Sequence, residues 1–180
     1  MSIIDRHITL RLAGSRGGVK SAILALNVAG NCRITFDLLL GSRAPNAKDG
    51  HVGMTLNCAD GTTFQFHNAG NGWRCLRRQP GRDNNLVTIL KDARLPPAGG
   101  EAFAPIQLDI SPDGYELRSG KHATTRLPWT DSALANIQFY GYNIDAEIKN
   151  LQLETIVPEA PFVPPPPKTL LDCGFENEDV

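Results

Sequence analysis

Short runs of alternating apolar and polar residues recur along the chain, and no stretch keeps a helical period. In HVGMTLNC (51–58), Val52, Met54, Leu56 and Cys58 point one way while His51, Thr55 and Asn57 point the other. In TTFQFH the same rule buries Phe64 and Phe66 and presents Thr63, Gln65 and His67. Asp60-Gly61 between these runs suits the positive φ of a tight reversal, so the two strands are expected to pair as a hairpin. A second turn, NAGNG, leads into Trp73, after which Arg74, Leu76 and Arg78 alternate with Cys75 and Arg77. One sheet face is therefore expected to gather Asn57, His67, Trp73 and Arg78.

Comparable runs occur at ITLRL, AILALNV, RITFDLLL, WRCLRR, LVTILK, IQLDI, YELRS, ATTRL, NIQFYGY and IDAEIKNLQLE, separated by Gly, Pro, Asn and Asp. Up to about twelve strands with frequent turns predict an all-β fold, an antiparallel two-sheet sandwich. Its expected core includes Ile34, Phe36, Leu38, Ile106, Leu108, Ile110, Ile137 and Phe139. At 180 residues, one well-buried domain is expected over 1–156. The proline-rich tail, 157–180, carries four consecutive prolines from Pro164, which favour polyproline II and cannot enter a sheet interior. Phe162, Leu170, Leu171 and Phe175 distinguish it from a purely solvated linker, and it reads more readily as a spacer or a segment lying along its own domain than as a ligand for a protein partner.

The formal net charge of −1 gives no global attraction to nucleic acid or to an anionic membrane. The cluster Arg74, Arg77, Arg78 and Arg82 has few neighbouring aromatics for base stacking. No run reaches the ~20 apolar residues of a spanning helix. The N-terminal segment has no secretory pattern, so synthesis in the cytosol is expected, with any export independent of a signal peptide. Cys32, Cys58, Cys75 and Cys173 have no metal-site spacing and read as buried hydrophobes in a reducing compartment, with a Cys58–Cys75 bridge left open. No cofactor or metal is expected.

Two stretches carry a family resemblance. FDLLLGSRAPNAKDGHVGMTLNCADGTTFQFHNAGNGW, and APIQLDISPDGYELRSGKHATTRLPW followed by NIQFYGYNIDAEIKNLQLE, resemble the strand succession of galectins. The resemblance covers residues 5–156. It implies a jelly-roll sandwich of the concanavalin A-like kind that binds β-galactosides on one concave sheet without metal, and a homodimer by analogy with domains that pair through terminal strands. The family's sugar pattern is an H-x-N-x-R strand, an asparagine on the next strand, then W-x-x-E-x-R. Here Asn57 stands at the central asparagine, with Thr55 and Ala59 at the histidine and arginine positions. His67 or Asn68 takes the next asparagine's place, Trp73 matches the tryptophan, Leu76 replaces the glutamate and Arg78 keeps the last arginine. The implied carbohydrate-binding set is Thr55, Asn57, His67, Asn68, Trp73 and Arg78.

Galactose stacks its apolar face on an indole and needs convergent hydrogen bonds at its axial hydroxyl. Each lost bond removes roughly 0.5–1.5 kcal/mol, and two or three such losses weaken a sugar complex ~10–1000-fold. An acidic glycan, sulfated or sialylated and facing Arg74 and Arg78, suits these residues better than lactose. Two readings follow: a non-catalytic lectin module, or a structural or protein-interaction domain that kept the sandwich and lost the sugar site. For catalysis, Asp145 and Glu147 at i and i+2 are the one candidate carboxylate pair, and the third acid of the usual sandwich-glycosidase pattern is missing.

Overall fold

Strict alternation at Cys32, Ile34, Phe36 and Leu38 makes one long strand with a continuous apolar edge, and the rest of the sandwich is assembled around it. The computed structural model describes residues 4–5, 10–12, 19–28, 31–47, 49–69, 72–82, 84–93, 95–96 and 101–156. The strands are β1 (Ile4–Asp5), β2 (Leu10–Leu12), β3 (Val19–Val28), β4 (Cys32–Arg43), β5 (His51–Cys58), β6 (Thr63–Ala69) and β7 (Gly72–Arg78). They continue with β8 (Asn85–Lys91), β9 (Ala104–Ser111), β10 (Gly114–Ser119), β11 (His122–Ala123), β12 (Leu134–Tyr142) and β13 (Ile144–Thr155). Among the described residues there is no helix. The tail, 157–180, lies outside the described residues.

Two antiparallel sheets result. One has seven strands in the order β1-β13-β4-β9-β10-β11, with β2 also pairing β13, and the other has six in the order β3-β12-β5-β6-β7-β8. Their inner faces meet through the expected core residues Ile34, Phe36, Leu38, Ile106, Leu108, Ile110, Ile137 and Phe139, all buried. Phe36 and Phe139 touch edge to face at 5.2 Å across the two layers. Trp129, in the connection between β11 and β12, stacks on Phe64 at 4.1 Å and closes one end of this core.

ATTRL is the one expected strand that is largely irregular. Only His122–Ala123 pairs regularly with β10, and Leu127 returns as an isolated bridge to Tyr115. Thr124 explains the break, because its hydroxyl accepts the Leu117 N–H at 3.0 Å and takes a partner that a ladder would use.

The β5–β6 turn follows its sequence. Gly61 has φ +81, and the Asp60 carboxylate accepts the Thr62 N–H at 2.8 Å and the hydroxyls of Thr62 and Thr130 at 3.0 and 2.9 Å. The hairpin is thereby tied to the segment before β12.

Candidate functional site: the outer face of the six-stranded sheet

Register decides which side chains share this face. Asn136, Gln138, Tyr140 and Tyr142 of β12 stand opposite Asn57, Thr55, Gly53 and His51 of β5. Those in turn face Thr63, Gln65 and His67 of β6, which are opposite Arg78, Leu76 and Arg74 of β7. Inward residues of the same strands are Val52, Met54, Leu56, Phe64, Phe66 and Cys75, so the alternation has separated a polar face from the core.

The face is held by its own contacts. Asn57 Nδ2 donates to Asn136 Oδ1 at 2.6 Å, fixing both amides. Gln65 Nε2 donates to the Tyr140 hydroxyl at 3.2 Å, which donates onward to the Phe66 carbonyl at 3.4 Å. The Tyr140 ring lies over Gly53, where the Phe66 carbonyl and the ring together leave no room for a Cβ. At the end of the face, His51 lies 5.0 Å from the Tyr142 ring and 5.5 Å from the His67 ring. Half-buried rings from three neighbouring strands therefore form a shelf beside Arg74.

Electrostatics follow from that crowding. Burial lowers the His51 pKa from its usual 6.5, opposed by Asp49. Burial also lowers that of His67, with the neighbouring His51 and Arg74 adding in the same direction. Both imidazoles are held toward the neutral form while the face is empty, and an anion placed between His67 and Arg74 favours their charged form. Arg74 and Arg78 are exposed, and neither pairs with a carboxylate among the described residues.

The expected site set divides in two. Thr55, Asn57, His67 and Arg78 stand on this face, as the alternation implied. Trp73 and Asn68 do not. Trp73 is 1% exposed within the core, and Asn68, its cross-strand partner, is 7% exposed and donates to the Ala93 carbonyl at 3.1 Å. Their placement corrects the expectation of an indole platform for a sugar. The reason is parity: on a regular strand Trp73 shares a face with Cys75 and is opposite in phase to Arg74 and Arg78. The irregularity beside it does not rescue the expectation, because the unpaired extra residue, Ile89, belongs to β8.

Asn136, Gln138, Tyr140 and Tyr142 went unassigned from sequence, although the period-2 pattern of NIQFYGY contained them. What the sequence lacked was the knowledge that β12 lies beside β5. Cys32, Cys58 and Cys75 are free buried thiols, so no Cys58–Cys75 bridge is formed. Asp145 and Glu147 alternate with the buried Ile144, Ala146 and Ile148 on β13, in the other sheet, and Glu147 pairs with Lys149 at 3.3 Å. Among the described residues, no three His, Cys, Asp or Glu side chains are grouped to hold a metal.

No protein-family model matches the chain, and no curated protein does. Solved structures do. Sheep galectin-11 in complex with glycerol is similar with TM-score 0.52 and 12% identity, over 74% of this chain and 96% of that one. A tetrameric galectin from the ball sponge Cinachyrella sp. gives 0.55 and 13%, over 76% and 100%. The Crh5 transglycosylase in complex with NAG gives 0.55 and 9%, over 83% and 73%. At such identities the likeness concerns architecture, which lectins and carbohydrate-active enzymes share. The chain has the galectin-like, jelly-roll sandwich fold.

Proposed function

We propose that the protein is a non-catalytic carbohydrate-binding module whose outer six-stranded face holds an acidic glycan. The observation that carries this reading is the ring shelf of Tyr142, His51 and His67 beside Arg74, which pairs with no carboxylate among the described residues. A pyranose lays its apolar face on the shelf, while a sulfate or sialic carboxylate meets Arg74 and His67. The amide pair Asn57–Asn136, with Thr55 and Gln65, supplies neutral hydrogen bonds along the ring hydroxyls. Arg78 extends the positive edge. The fold likeness to galectins supports a carbohydrate ligand, and the charge of the face supports the acidic class.

Calorimetric titration with lactose, 3′-sialyllactose and sulfated lactose tests the reading. The two anionic glycans are expected to bind and lactose to bind more weakly. Arg74→Ala is expected to weaken the anionic complexes by about 10–100-fold, corresponding to a charged hydrogen bond of roughly 1.5–3 kcal/mol. Heat signals absent with all three sugars, or unaltered by Arg74→Ala, would remove the proposal.

One observation favours a second reading. With Trp73 in the core, the face has no exposed indole, as suits a sandwich retained for protein contact. That reading expects a protein partner to be captured by the chain while the three sugars give no heat.

A further inference from the structure

Strand β8 is one edge of the six-stranded sheet, and its outer N–H and C=O groups have no partner strand among the described residues. Leu86 is 53% exposed and Val87 45%, two of the three most exposed large hydrophobics described. No charge interrupts Asn85–Leu90, and Lys91 alone guards the end. Exposed apolar edges of this kind are templates for another strand. Just behind it, Arg74, Arg77, Arg78 and Arg82 make the neighbourhood basic, and none is ion-paired to a carboxylate among the described residues.

The chain itself contains a complementary segment. Residues 1–157 hold 17 Lys and Arg against 14 Asp and Glu, whereas 158–180 hold one lysine against five acids. Within TLLDCGFENED (169–179) the pattern has period 2 from Leu171 to Glu176, with Leu171, Cys173 and Phe175 on one side and Asp172 and Glu176 on the other. Glu178 is in phase with the acids, while Leu170 falls on the acidic side and Asp179 on the apolar one. The β8 edge matches both sides. Arg74 lies on the outer face opposite the outward Thr88, and Arg78 follows on the same face beyond the Leu76–Leu86 pair, while Val87, opposite Cys75, overhangs the inner side.

We propose that the segment Thr169–Asp179 adds as a further strand along β8 of its own chain, its carboxylates toward Arg74 and Arg78 and its apolar side chains against Val87. Backbone hydrogen bonds supply the affinity and the two side-chain sets fix the face. Reach is sufficient. Ile156, bonded through its N–H to the Asn31 carbonyl, ends the β13 layer, and twelve residues, six of them proline, precede Thr169. As polyproline II they span about 37 Å, against about 24 Å across the sheet and about 10 Å between the layers. Docked there, the segment covers the same arginines that face outward, so an anionic ligand and the segment compete.

Cys173 provides the test, because Cys32, Cys58 and Cys75 are buried. A nitroxide on Cys173 of the 15N-labelled full chain is expected to broaden amides of residues 72–78 and 84–91, more at low salt than at high salt. Absence of broadening there overturns the proposal. Mixing spin-labelled chain without 15N and 15N chain without spin label reports on a second copy, and broadening confined to that mixture overturns docking within one chain. Leu86→Glu, at an exposed position, is expected to keep the folded spectrum and abolish the broadening, and persistence in that variant overturns the assignment to β8. Should the label at Cys173 itself block pairing, the chain with Cys173→Ser and Asn177→Cys moves it to the neighbouring position, and a null result there as well overturns the proposal. No sugar enters these measurements, so failure of the lectin reading leaves their outcome unaffected.

Discussion

Tyr140 lies across Gly53: a Cβ on that glycine would run into the Phe66 carbonyl oxygen and stand 2.7 Å from the tyrosine hydroxyl oxygen and 2.9 Å from its Cζ. The contact couples β12 to β5 on the polar face and sets where the ring can rest. Gly53→Ala is expected to destabilise the fold by about 1–3 kcal/mol through overpacking, read from urea unfolding. An alanine variant as stable as the parent contradicts this packing of Gly53 against the Phe66 carbonyl and the Tyr140 ring.

Burial of Trp73 gives a prediction opposite to that of a stacking platform. Trp73→Ala is expected to cost about 3–5 kcal/mol by opening a cavity, and Trp73→Phe less. In a Trp129→Phe background, the emission of Trp73 is expected to stay constant as any glycan is added. A spectral shift on glycan addition places the indole in contact with ligand and refutes the assignment.

The two histidines predict how stability and binding move with pH. Burial depresses both pKa values below 6.5, so the unfolded chain binds more protons as pH falls through 6.5. Their contribution to stability is present above that pH and is lost progressively as pH falls toward the folded values. An anionic glycan raises both pKa values, so its affinity is expected to rise over the same interval. Titrating 3′-sialyllactose at two pH values bracketing 6.5 checks the sign, and His67→Ala is expected to flatten the trend.

Thiol chemistry reports on the closure of the core. Burial pushes Cys32 and Cys75 up to about 11 and Cys58 to about 12, the last two against opposing help from Arg77. Few thiolates exist at pH 8, and access is closed. A disulfide reagent is expected to leave these three unmodified in the native protein and to modify them on unfolding in denaturant. Native reaction at Cys58 or Cys75 would mean that β5 or β7 opens far more readily than its packing implies.

Most of the sandwich was legible because a half-buried strand advertises itself at period 2: β5 from His51 to Cys58 and the apolar side of β4 follow directly from alternation. The polar face was half legible for the same reason, with Thr55, Asn57, His67 and Arg78 assigned by parity within β5, β6 and β7. Trp73 is five positions from Arg78 and so falls on the opposite face, which the expectation of a shared face overlooked, while Asn68 entered the set only through likeness to a motif. The contribution of β12 was hidden, because adjacency of residues some 80 positions apart leaves no local mark: Asn57 meets Asn136 only through topology.

That topology has a consequence for how the chain comes together. The central slot between β3 and β5 is filled by β12, and the one between β1 and β4 by β13, the last two strands among the described residues. On the ribosome, the earlier strands must wait with both gaps open until the final quarter of the domain emerges. Closure then comes as a late double insertion of distant partners, a slow route that leaves apolar edges uncovered for much of synthesis.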